Sequence, residues 1–156
     1  MCYFSNIFEF PTATIECICH ALKNPRIDRP DFLVGCGLSG SLALVPVSTR
    51  SGIPCGIIRK TSDQSHSFST LELGGPYTFM VNRYVIIDDL ISSGDTIHHI
   101  THEMTRRYPH SRCVGIILYQ ESEDKIVHKD GYDKIDDSIP MLVLEHQIHT
   151  IAQESN

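Results

Sequence analysis

The chain has 156 residues, 41% hydrophobic and 21% charged, so it has the apolar content to build a core and is not a disordered tail. Lys plus Arg number 13 and Asp plus Glu 19, and the resulting net charge of −6 argues against nucleic acid as the main partner. No apolar run approaches the roughly 20 residues that cross a bilayer, and Met1-Cys2-Tyr3-Phe4-Ser5 lacks a basic start ahead of an apolar stretch, so neither a membrane span nor a secretory signal is expected. The six cysteines form no Cys-x-x-Cys pair, and Cys36, Cys55 and Cys113 sit in apolar runs. They read as reduced thiols of a cytoplasmic protein. This length is expected to form a single domain over 1–156.

In chain order, Ile15, Ile18, Cys19 and Leu22 recur at helical spacing and predict a helix over 12–23, capped by Thr12 or Thr14 and ended by Asn24-Pro25. Residues 31–37 read as a short buried strand. Ser39 and Ser41 are N-cap candidates for a helix running to about Arg50, kinked at Pro46 and closed by Gly52. A second strand covers 54–60. Residues 61–76, rich in Ser, Thr, His and Gly, read as a long mobile loop. Residues 83–89 are the strongest strand, 96–108 a helix stopped before Pro109, and 112–119 another strand. Polar residues 121–139 read as loop, 141–144 as a last short strand, followed by a weak C-terminal helix.

Strands alternating with helices predict an α/β fold: a mostly parallel central sheet with helices on both faces. Ligands of such sheets bind beyond the carboxyl ends of the strands. Two strands end suggestively. Gly35-Cys36-Gly37-Leu38-Ser39-Gly40 follows a strand and opens a helix, in the pattern of a dinucleotide fingerprint. Arg59-Lys60 stands where an acid would read the ribose, which would suit an NADP protein. The same glycines also serve another anion-binding loop, or simply a tight turn.

The second strand end weighs against a dinucleotide. Tyr84-Val85-Ile86-Ile87 delivers Asp88 and Asp89, which the pleat should point to opposite sides. Ser92-Ser93-Gly94-Asp95-Thr96 then curls into a helix N-terminus, offering hydroxyls and free N–H groups to a phosphate. An acid pair beside a phosphate cradle suits a sugar phosphate. Read only structurally, the segment is an Asp-rich strand end with a helix cap at Ser93.

Val85 to Thr96 resembles the phosphoribosyl-diphosphate (PRPP) motif of the type I phosphoribosyltransferases, and the likeness extends over about 31–119. It implies that family's fold, with a small variable hood drawn from 1–30 and/or 120–156. It implies transfer of ribose 5-phosphate from PRPP to a nitrogenous base with release of diphosphate, in a homodimer. Asp88 and Asp89 would bind the ribose hydroxyls, directly or through Mg²⁺, as catalytic residues. Ser92, Ser93, Gly94, Asp95 and Thr96 would hold the 5′-phosphate, with Asp95 turned outward. Gly37, Leu38, Ser39 and Gly40 would receive the diphosphate. Arg59 and Lys60 would neutralise it, in their own or a neighbouring subunit, and His66 would donate to it from a loop that closes over the site.

Arg59-Lys60, His66 and Leu71-Glu72-Leu73-Gly74 look most like the orotate enzymes. The further loop lysine of those enzymes is absent, and Ser92 replaces the Asp of the 6-oxopurine enzymes. A non-catalytic PRPP- or nucleotide-binding regulator is therefore the alternative, and an NADP-binding protein a lesser one. Among the remaining features, His98, His99 and His102 read as a surface face, although His98 and His102 stand one helical turn apart. Tyr3, Phe4, Phe8 and Phe10 read as a satellite core or part of the hood.

Overall fold

The computed structural model describes residues 5–60, 71–74, 80–120 and 135–154. Among them the chain runs α1 (Ser5–Glu9), α2 (Pro11–Ala21), β1 (Phe32–Cys36), α3 (Gly37–Ser51), β2 (Cys55–Ile58) and β3 (Leu71–Gly74). It continues through β4 (Arg83–Asp88), α4 (Asp95–Arg107), β5 (Arg112–Leu118), β6 (Met141–Val143) and α5 (Glu145–Glu154). The described strands form one sheet in the order β3-β2-β1-β4-β5-β6. Five are parallel, and β3 joins β2 antiparallel, with Leu71 opposite Ile58 and Gly74 opposite Cys55.

The strand pleat divides the apolar residues between two faces. Leu33, Val85, Ile87 and Ile117 pack with Ile18 of α2, Leu44 of α3 and Ile148 of α5. Phe32, Val34, Ile86 and Ile116 pack with Ile97, Ile100 and Met104 of α4. Ile18, Leu44, Ile148 and Ile100 are fully buried, and each such side chain contributes about 1.5–3 kcal/mol by leaving water. The connections β1-α3-β2 and β4-α4-β5 turn opposite ways from the sheet centre. That puts α3 and α4 on opposite faces and opens a crevice between the carboxyl ends of β1 and β4.

The three glycines of 35–40 have separate structural reasons. Cβ atoms built on Gly35 and Gly40 would lie 2.9 and 2.8 Å from the other residue's Cα, so α3 rests on β1 backbone to backbone. Gly37 opens α3 at φ 62°, a left-handed conformation that side chains disfavour.

The hydroxyl caps expected from sequence are corrected. Cys36 takes the N-cap position of α3 without a side-chain bond. Ser39 and Ser41 lie inside the helix, where Ser39 Oγ donates to Asp88 and Ser41 Oγ to the Gly37 carbonyl. Phe10 takes the N-cap position of α2, and Thr14 Oγ donates instead to the Asn6 carbonyl. The helix α3 runs through Pro46 to Ser51 and closes on Gly52, as expected. The loop expected over 61–76 is also corrected: Leu71–Gly74 form β3, because a Leu-Glu-Leu-Gly run can add an edge to β2. The rest of that segment, His66 included, and 121–134 lie outside the described residues. The helix α1 had no counterpart in the sequence reading.

Cys17, Cys19, Cys36, Cys55 and Cys113 are free thiols. No helix of the described residues is long and apolar enough to cross a membrane.

Gly40→Ala should destabilise the protein by about 1–3 kcal/mol, since a methyl group there meets backbone that cannot rotate away. Gly52→Ala, at φ 74° with open space around it, should cost about 1 kcal/mol from backbone strain alone. Urea unfolding compares the two. A smaller loss at Gly40 than at Gly52 would show that the close approach is not what Gly40 serves.

Candidate active site

The apolar strand β4 carries its last residue, Asp88, to the carboxyl edge of the sheet. Asp88 and Asp89 are 3% and 8% exposed, so two adjacent carboxylates lie almost out of water. Asp88 Oδ1 accepts from Ser39 Oγ at 2.8 Å and from the Asp89 N–H at 3.0 Å. Asp89 Oδ1 accepts from the Leu90 N–H at 2.8 Å. The carbonyls of the pair take the N–H groups of Tyr119 and Gln120, which extend the β4–β5 pairing past the strand ends. Because β4 ends at Asp88, the pleat does not carry on to Asp89. Both carboxylates line the same pocket, which corrects the expectation of opposite sides.

The turn that follows ends at Gly94, which is the N-cap residue of α4 at φ 78°. Ser92 and Ser93 are exposed there. Ser93 Oγ donates to Asp95 Oδ2 at 2.8 Å, and Asp95 is exposed. The Gly94 carbonyl takes the His98 N–H as the first helical bond of α4.

A pocket of about 220 Å³ sits in the crevice between the ends of β1 and β4. Of the residues singled out from sequence, Ser39, Lys60, Asp88, Asp89, Ser92, Ser93, Gly94 and Thr96 line it. Gly37, Leu38, Gly40, Arg59 and Asp95 do not. Leu38 is 60% exposed, Gly40 is buried against Gly35, and Gly37 lies under the Lys60 stem, whose Cε would be 2.8 Å from a Cβ there. Lys60 therefore lines the pocket of its own chain. Arg59 is half-buried, and its carbonyl meets His99 Nε2 at 3.0 Å, so His99 braces the end of β2 and is not part of a surface face. His98 and His102 are exposed, as expected. Sequence reasoning missed Cys36, Leu90, Ile91 and Ile97 in the lining, and Tyr119 behind it.

Burial raises the Asp88 pKa from its ordinary 3.8, the Asp89 charge raises it further, and the Ser39 hydrogen bond opposes the shift. Among the described residues that line the pocket, Lys60 is the one cation. Hard carboxylate oxygens beside phosphate-accepting amides form a donor set that fits Mg²⁺, which takes few protein carboxylates and fills its shell with water and phosphate. A larger cavity, about 720 Å³ between α2, α5 and β6, shares no residue with this pocket. Size does not decide between them. The smaller one holds the paired acids and a helix N-terminus.

The fold is that of an α/β protein whose acid pair and helix N-terminus meet at the topological switch of a mostly parallel sheet, the place where such sheets hold ligands. Residues 15–150 match the phosphoribosyl transferase domain family, and the chain belongs to it. No curated protein sequence gives a significant match. Among solved structures, the adenine phosphoribosyltransferase of Thermoanaerobacter pseudethanolicus superposes with a TM-score of 0.62 at 23% identity, over 84% of this chain and 76% of that one. The orotate phosphoribosyltransferase of Aeropyrum pernix gives 0.61 at 12%, over 92% and 76%. The Mycobacterium tuberculosis orotate enzyme, solved with PRPP, gives 0.64 at 11%, over 92% and 79%.

The raised Asp88 pKa predicts an inverted pH dependence of stability for the ligand-free protein. The folded state keeps this proton to higher pH than the unfolded chain does. The contribution of Asp88 is therefore full below about 3.8 and is lost as pH rises through the raised value. Asp88→Asn keeps the oxygen that accepts from Ser39 and removes the charge. It should stabilise the ligand-free protein at pH 8 by about 1 kcal/mol or more, the worth of one pKa unit, and leave it unchanged near pH 3. Thermal unfolding across pH tests this, and a destabilised variant at pH 8 would contradict it.

Proposed function

We propose that the protein transfers ribose 5-phosphate from PRPP to a nitrogenous base, with Mg²⁺ and with an orotate-like pyrimidine as acceptor. One observation carries the reading: Asp88, Asp89, Lys60, Ser92, Ser93, Gly94 and Thr96 converge on one pocket at the sheet's switch point. In the reaction the bond from ribose C1′ to the diphosphate oxygen breaks, and a bond from C1′ to a ring nitrogen of the base forms. The base nitrogen loses its proton, if it carries one, and diphosphate leaves.

Positive charge builds on the ribose as the leaving group departs. Asp88 and Asp89, held against the ribose hydroxyls, favour that charge in a site with little water to screen it. The N–H groups at the start of α4, with the Ser92, Ser93 and Thr96 hydroxyls, anchor the 5′-phosphate. Ser39 and the turn at Gly37–Gly40 receive the diphosphate, and the Lys60 ammonium balances its charge. His66 and Arg59 are assigned to the same diphosphate. Mg²⁺, when bound with PRPP at the acid pair, would draw charge from the leaving diphosphate.

The orotate-like acceptor rests on Arg59-Lys60, on Leu71-Glu72-Leu73-Gly74 directly after the loop, and on Ser92. A serine hydroxyl is too weak a base to take a purine N7 proton at neutral pH, whereas orotate brings its own negative charge. The hood is assigned to 1–30 and/or 120–156. A homodimer accompanies this reading: α3 carries no charged residue from Gly37 to Thr49 and exposes Leu38 and Val45. The five described cysteines are free thiols, which accords with a reducing compartment. A PRPP-binding regulator without transfer activity is the second reading, favoured by Ser92 and by the missing loop lysine.

Calorimetry with Mg²⁺ and PRPP tests the site. Replacing Asp88 and Asp89 together by Asn should weaken binding by at least about 100-fold, since two charge-assisted contacts of about 1.5–3 kcal/mol each are lost. Equal affinity in both proteins would remove the site assignment. Product formation from PRPP with orotate, uracil, adenine, guanine and hypoxanthine separates the enzyme from the regulator. Orotate should exceed guanine and hypoxanthine by about 10²–10⁴-fold, the usual worth of a general base. Faster turnover of any purine would overturn the pyrimidine assignment, and no product from any base would favour the regulator.

A further inference from the structure

Tyr119 follows β5 directly, is fully buried, and belongs to no motif in the sequence. Its hydroxyl donates to the Ser39 carbonyl at 2.8 Å. Ser39 Oγ in turn donates to Asp88 Oδ1 at 2.8 Å. The Asp88 carbonyl accepts the Tyr119 N–H at 3.1 Å, which closes a ring across α3, β4 and the end of β5. We propose that Tyr119 is a positioning residue for the diphosphate end of PRPP, its hydroxyl fixing the first turn of α3 against the acid pair. The substrate named here rests on the phosphoribosyltransferase reading above.

The ring holds Ser39 by both its hydroxyl and its carbonyl, so the turn can neither roll about the α3 axis nor lift from β4. Gly35 and Gly40 bring α3 close to the sheet, and close packing alone does not set rotation about the helix axis. Tyr119 does so from the side, and it is itself braced. Asn6, 1% exposed, donates from Nδ2 to the Tyr119 carbonyl at 2.8 Å. Asn6 Oδ1 lies 2.9 Å from His149 Nε2 of α5, and the Asn6 carbonyl accepts from Thr14 Oγ of α2 at 3.0 Å. The support for the turn thus reaches back through α1 to α2 and α5. Burial and the two neighbouring carboxylates raise the Tyr119 pKa, so the hydroxyl stays a donor at any working pH.

Tyr119→Phe removes the donor and keeps the ring that fills the space. Amide hydrogen exchange of the unliganded protein, read by mass spectrometry, tests the strut without any substrate. Amides of 37–41 should exchange about five- to tenfold faster in the variant, as the loss of one hydrogen bond implies, while β1 and β4 stay protected. In steady-state assays KM for PRPP should rise by a similar factor, with kcat and KM for the base changed less than about twofold. Asn6→Ala leaves the hydroxyl in place and should shift both readouts the same way by less. It carries the test alone if the Phe variant melts far below wild type.

Unchanged exchange at 37–41 would overturn the proposal. So would a general rise in exchange with kcat and both KM values moving together, the mark of a merely structural role. A wild type that binds no PRPP would overturn the functional reading and the substrate half of this one, and the exchange arm would still decide the strut.

Discussion

The backbone contact between Gly35 and Gly40 is the constraint on which the site depends. A strand and the helix that follows it normally keep a side chain's width between them. Here both residues lack a Cβ and their Cα atoms approach to near contact. Only at that spacing does a residue as short as serine, one position before Gly40, reach a carboxylate on the neighbouring strand. The crevice, the ring through Tyr119 and the course of Lys60 over Gly37 all follow from it. A side chain at either glycine would lift the start of α3 and take Ser39 off Asp88.

The acid pair shows the opposite economy. Burying two adjacent carboxylates works against folding, and the parallel sheet around them has to carry that cost with apolar strands buried on both faces. Asp88 is eased by Ser39 and by the Asp89 N–H, and it still holds its proton more tightly than an exposed aspartate. A cationic or hydroxyl-rich ligand placed beside the pair would relieve this cost. The charges that the proposed reaction would use to favour a cationic ribose are the same ones that disfavour the ligand-free fold.

The strands β1, β4 and β5, the helices α3 and α4, and the loop from Asp88 to Thr96 were legible because each is local. Apolar runs, glycines and an acid pair sit next to one another in sequence. What failed depended on distant partners. Ser39 and Thr14 have the composition of helix caps, yet their hydroxyls found Asp88 and the Asn6 carbonyl. The strand β3 was hidden in a polar segment because its pairing with β2, not its own periodicity, makes it a strand. The helix α1 is too short to show a period, and Asn6 and Tyr119 carry no motif. Their roles exist only once residues far apart in the chain are brought together.

The bond between Asn6 and His149 joins residues 143 positions apart. The helices α1 and α5 are therefore tied to each other at the end of β5, where Asn6 also donates to the Tyr119 carbonyl. A chain opened at the exposed Gly52 turn between α3 and β2 would keep this tie and the described ladders of the sheet. The cut would fall on a surface turn with free space around it. For the same reason, an insertion at Gly52 leaves both the tie and the pocket clear, since Gly52 belongs to neither.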